Sequence, residues 1–68
     1  MTKDEIAKTR RWFGLSLHEM GEKIGAHYSV VSRLESGDRT PTVIQAKKLL
    51  AMRERMLREM RTAVGAAQ

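Results

Sequence analysis

Glycines at positions 21 and 25, one helical turn apart, govern what residues 15–41 can form. Gly21 lacks the side chain that would hold two crossing helices apart, and Gly25 accepts the positive φ of a tight turn. Apolar residues at Met20, Ile24, Ala26, Val31 and Leu34 supply a buried seam on both sides of that turn. The segment therefore reads as two short helices folded against each other. Tyr28, Ser29, Ser32 and Arg33 are left on the outward face of the second.

Capping signals place the other boundaries. Thr2 and Glu5 form a capping box, with Asp4 and Glu5 at the positive end of the first helix dipole. Ile6, Arg10 and Phe13 then share one face, and Gly14 follows as the residue that ends the helix. Trp12 lies off that stripe, either packed at the core edge or partly exposed to a partner. Arg10 on an apolar face either pairs with a counter-charge, for which Glu35 is the natural candidate, or snorkels to solvent. Ser16 and Glu19 make a second capping box for a helix over 17–24. The next helix is predicted from about His27 to Ser36, closed by Gly37. His27 either terminates the turn or faces a partner, and His18 falls on a solvated face. Asp38, Arg39, Thr40 and Pro41 form a loop that opens the last helix.

From Thr42 to Val64 there is neither Gly nor Pro. Val43, Ala46, Leu50, Arg53, Leu57, Met60 and Val64 recur at three- and four-residue steps, widened by Leu49, Met52 and Met56. This predicts one long helix, or two with a bend near residues 51–54. Its first half is expected to close the core. Its second half, rich in Met and flanked by Arg and Glu, reads as a surface for another chain, with Arg53, Met56, Leu57 and Met60 as the subunit contact. Residues 65–68 read as a frayed tail. Without repeats or a linker, residues 1–68 are expected to form a single domain, with the helical pair at 16–36 and the long helix at 42–64.

Composition narrows the chemistry. A chain of 68 residues with no cysteine has no disulfide, thiolate zinc site or cysteine nucleophile. No apolar run approaches the roughly 20 residues of a membrane span, and Met1 is followed by a charged segment, so a soluble, cytoplasmic protein is expected. His18-Glu19 begins like a zinc-protease motif, but Glu22 stands where its second histidine belongs. No phosphate-binding glycine loop and no nucleophile elbow is present. Neither an enzyme, a cofactor, a metal nor a small-molecule effector is expected. The formal net charge of +5 points towards a polyanion, nucleic acid or an anionic membrane face.

The outward helix suits the major groove. Arg33 can donate two bonds to guanine, Ser29 and Ser32 can donate or accept, and Tyr28 offers a ring or a hydroxyl. Val30 either meets a thymine methyl or is half-buried. Ser16, with the free amides at Leu17, and Ser36, Arg39, Thr40 and Thr42 flank that helix as candidate phosphate contacts. Lys47 and Lys48 either extend the basic surface or solubilise the last helix.

Leu15-Ser16, Glu19-Met20-Gly21, Ile24-Gly25, the run Val31-Ser32-Arg33-Leu34-Glu35-Ser36-Gly37, and Pro41 together resemble the Cro/repressor-type helix-turn-helix of phage and bacterial transcription regulators. The likeness covers roughly residues 6 to 50. It implies an all-α, lambda-repressor-like bundle of four to five helices with an extended C-terminal helix. It further implies a homodimer bound to a near-palindromic double-stranded DNA operator, acting as a repressor that often controls its own promoter. An Arg10–Glu35 ion pair between the first and third helices is also implied. Three positions depart from the family pattern: Leu17 replaces a glutamine, His27 replaces a Ser or Thr cap, and no glycine breaks the chain after Leu50. A protein-interaction adaptor using the Met-rich helix is the alternative function, and an amphipathic helix lying on anionic membrane competes for residues 43–64.

Overall fold

In the computed structural model, which describes residues 1–66, the chain forms four helices: α1 Lys3–Trp12, α2 Leu17–Ile24, α3 Tyr28–Ser36 and α4 Val43–Ala66. No strand occurs among the described residues. Of the tail expected to fray, residues 67 and 68 lie outside the described residues, and the helix itself continues through position 66.

Each boundary has a local cause. The Thr2 hydroxyl accepts the Glu5 amide at 3.2 Å, and the Glu5 carboxylate accepts the Thr2 amide at 2.9 Å. Ser16 and Glu19 repeat the arrangement at 3.1 and 3.0 Å. A third box, not among the sequence-predicted caps, opens α4: Thr42 accepts from the Gln45 amide at 3.2 Å, and Gln45 accepts the Thr42 amide at 3.1 Å. Helix α1 is capped by Phe13, and Gly14 turns the chain away at φ 65°.

Ile6, Met20, Ile24, Val31, Leu34 and Leu49 form the core, so all four helices contribute to one apolar centre. Two small residues of α1, Ala7 and Thr9, are buried with them. Thr9 keeps its hydroxyl satisfied by donating to the Glu5 carbonyl at 2.8 Å.

The long helix is unbroken over 24 residues, but its buried line differs from the expected stripe. Leu49 and Met56 are buried, with Met52 packed beside them, whereas Val43 is 73% exposed and Leu50 44% exposed. The core-facing line is thus turned from the predicted one. Met56 is only 3% exposed, which corrects its assignment to the subunit contact: its side chain belongs to the core of its own chain. Arg53, assigned to the same contact, is bound within the chain to Glu5 at 2.9 Å. The next turns of α4 are fastened to the end of α1. Trp12 donates its indole N–H to Glu59 at 3.2 Å, Glu59 also accepts from Arg55 at 3.1 Å, and the Arg55 guanidinium stands 5.2 Å from the centre of the Phe13 ring.

Candidate nucleic-acid interface

The crossing of α2 and α3 depends on a missing side chain. A Cβ placed on Gly21 would overlap the Ala26 carbonyl oxygen, and the Ala26 amide donates to the Gly21 carbonyl at 2.8 Å. Gly25 takes φ 72° between the two helices. This turn sets the direction in which α3 leaves. Val31 and Leu34 then anchor one side of α3 in the core, with Val30 half-buried beside them.

The opposite side of α3 carries the sequence-predicted polar set. Ser32 and Arg33 are exposed, Ser29 is half-buried, and Tyr28 is 41% exposed. Tyr28 touches two imidazoles, with ring centres 4.3 Å from His18 and 4.5 Å from His27, both tilted. The tilted contact with His18 ties the N-terminus of α3 to α2. His18 is exposed, as its place on the solvated face of α2 predicts, and the helix crossing brings it to Tyr28.

His27 replaces the usual hydroxyl cap without leaving the amide unpaired. Its Nδ1 accepts the Ser29 amide at 3.2 Å and lies 2.8 Å from the Ser29 hydroxyl. A nitrogen that accepts an amide proton carries none of its own, so the ring proton resides on Nε2 and the Ser29 hydroxyl donates inward. Ser29 therefore offers its outer lone pairs, an acceptor for a base amino group.

The flanks differ in what they can give a phosphate. The capping boxes leave the Leu17 and His18 amides at the start of α2, and those of Val43 and Ile44 at the start of α4, without a box partner. Glu19 brings negative charge to the first of these ends, where its hydrogen bonds to Ser16 hold its carboxyl below the usual 4.5. The neutral Gln45 does not. The positive end of α4 is thus the less neutralised of the two. Leu17 itself packs against the core, so only its amide is available. Arg39, Thr40 and Thr42 are exposed between α3 and α4. Ser36 is a correction: its hydroxyl donates to the Arg33 carbonyl at 3.0 Å and faces Asp38 at 3.2 Å. A phosphate accepts only, so this serine has no proton to give it in this arrangement. The Lys48 ammonium lies over the Gly25 turn, and Lys47 is exposed.

Behind the interface, Arg10 grips Glu35 with two bonds, Nε to Oε2 at 2.6 Å and Nη2 to Oε1 at 3.0 Å. A third bond runs from Arg10 to the Leu15 carbonyl at 3.0 Å. The bond to Glu35 raises the guanidinium pKa. One buried-edge arginine thereby ties α1, the α1–α2 turn and the last turn of α3 together, which fixes α3 at both ends.

A helix-turn-helix family model matches residues 6–52. The chain belongs to the Cro/repressor-type helix-turn-helix family. Its function is accordingly that of a DNA-binding transcription regulator, in a family of regulators and not of enzymes. No curated protein and no solved structure matches it significantly. In this helix-turn-helix protein α2 and α3 are the paired helices, and α3 stands in the recognition position. The matched segment ends at Met52, so the last turns of α4 lie beyond it. Among the described residues no helix is long and apolar enough to cross a membrane, and no cluster of His, Asp and Glu could hold a metal ion.

Proposed function

We propose that the protein is a dimeric repressor, acting from the cytoplasm, that reads a near-palindromic operator by placing α3 of each subunit in successive major grooves, about 34 Å apart on one face of the DNA. The observation that carries this reading is the division of α3. Val31 and Leu34 hold one side in the core, and Ser32 and Arg33 stand free on the other. Arg33 has the geometry for the paired acceptors of guanine, and Ser32, Ser29 and Tyr28 read the neighbouring edges. The Leu17 amide, Ser16, Arg39, Thr40 and Thr42 hold phosphates on either side and set the register without reading sequence.

Subunit contact is assigned to the exposed apolar line of α4, where Leu57, Met60 and Val64 line a shallow groove with Arg61. This same groove favours the second reading, an adaptor that docks a partner there while the paired helices serve as scaffold. Salt separates the two, because phosphate contacts weaken steeply with ionic strength and an apolar contact does not. Footprinting on the DNA flanking the protein's own gene would identify the operator. On that operator Arg33→Ala should cost roughly 1–3 kcal/mol and relax discrimination at one base pair per half-site. Unchanged affinity and unchanged discrimination would remove Arg33 from the base-reading set.

A further inference from the structure

We infer that the α4 helices of two copies pair antiparallel, with Leu57 of each packed against Met60 of the other and Glu54 bonded to Arg61 across the seam. This rests on the dimer reading above and specifies its geometry. The exposed line of α4 follows a heptad, with Val43, Leu50, Leu57 and Val64 at one core position and Ala46 and Met60 at the other, where Arg53 between them is held by Glu5 of its own chain. On one flank of that line stand Leu49 and Met56, both buried in the subunit's own core. On the other flank stand Glu54 and Arg61, both exposed, and neither has an ion-pair partner among the described residues.

The two possible orientations treat these flanks differently. Parallel helices would set Glu54 and Arg61 against Leu49 and Met56 of the second copy, residues already enclosed and uncharged. Antiparallel helices bring like flanks together. Packing Leu57 on Met60 then aligns Glu54 with Arg61, and the two-fold axis repeats the pair, so two opposite-charge contacts form on the outer rim. Both folded bodies fall on the other side of the helix pair, where Met56 and Leu49 point. The axis passes between residues 58 and 59. At 1.5 Å per residue the two cores, centred near Leu49, sit roughly 28 Å apart along the helices, close to one turn of DNA. Charge, burial and spacing select the same arrangement.

Sedimentation of the full chain and a charge exchange test it. Glu54→Arg and Arg61→Glu should each raise the dimer dissociation constant by roughly tenfold, since two rim pairs become repulsive in either variant. The double variant should recover most of that loss. Both positions are exposed, and helical content by circular dichroism should stay constant. The chain has no cysteine, so Glu54→Cys and Arg61→Cys provide an independent readout. Alone, Glu54→Cys places its two thiols about 14 Å apart along the helices and Arg61→Cys about 8 Å, too far for a disulfide across the helix pair, whereas a mixture of the two, about 3 Å apart along the helices, should cross-link on mild oxidation. A dimer that Leu57→Glu dissociates, but that cross-links within each single variant and gains nothing from the exchange, overturns the antiparallel register alone. A wild-type chain that remains monomeric both free and on DNA, or a dimer indifferent to Leu57→Glu, overturns the α4 contact itself.

Discussion

Arg10 carries more of the structure than its place at the edge suggests, because its three bonds join segments far apart in sequence. Arg10→Ala would leave Glu35 part-buried and unpaired, a loss of about 3–5 kcal/mol. Replacing both partners by apolar residues, Arg10→Met with Glu35→Leu, removes the stranded charge and should be the milder change by chemical denaturation. If the double variant were as unstable as the single one, the bond to the Leu15 carbonyl would be the greater part of the effect. Gly21→Ala tests the helix crossing. The methyl gains about 1 kcal/mol of helix propensity but meets the backbone oxygen of Ala26, which no rotamer can move aside. A net loss of about 2 kcal/mol is expected, lowering Tm by about 10 °C. At this scale the sequence was informative wherever the reason is local: a glycine spacing, a capping pair, a loop proline. It was silent on Tyr28 meeting His18, because that contact exists only after the helices cross.

The helices are held by their ends, and that makes them acid-sensitive. Hydrogen bonds from Thr2 and Ser16 hold the Glu5 and Glu19 carboxyls below the usual 4.5, and the Trp12 indole does the same for Glu59 with help from Arg55. The unfolded chain thus binds these protons more readily than the native one. The associated stability is present above pH 4.5 and is lost as pH falls through the lowered native values. Thermal melts from pH 6 downward should show Tm falling below about 4.5. Glu19→Gln, which keeps an acceptor for the Ser16 amide, should flatten that fall, and an unaltered slope would place its origin outside the capping boxes. Helix α4 shows where element-level reading from sequence stops. Its apolar residues occupy two adjoining lines, one through Leu49, Met52 and Met56 and one through Leu50, Leu57 and Val64. Periodicity established that both exist, but the choice of the buried one depends on where α1 and α2 lie. In α1 the buried set includes two small residues, Ala7 and Thr9, which a stripe drawn through large side chains passes over.

At the scale of the whole molecule, the family match states that the chain binds DNA, and the number of subunits engaged can be counted from salt. Each phosphate neutralised by a cationic side chain contributes about −0.9 to the slope of log affinity against log salt. Arg39 is exposed in the loop between α3 and α4, shortly before the free Val43 and Ile44 amides. Removing its charge should weaken binding to any DNA sequence alike, in contrast to Arg33→Ala. If one subunit binds, Arg39→Ala should make the slope shallower by about 0.9; if two bind symmetrically, by about 1.8. The larger change, lost again in the Leu57→Glu background, would connect the exposed line of α4 to the two-site engagement of α3. A slope unaffected by Arg39→Ala would take that loop off the phosphate backbone and leave the amides of Val43 and Ile44 as the anchor on that side. Those amides are held in place by a neutral cap, so their contribution to affinity should persist at salt concentrations that erase the contribution of the arginine.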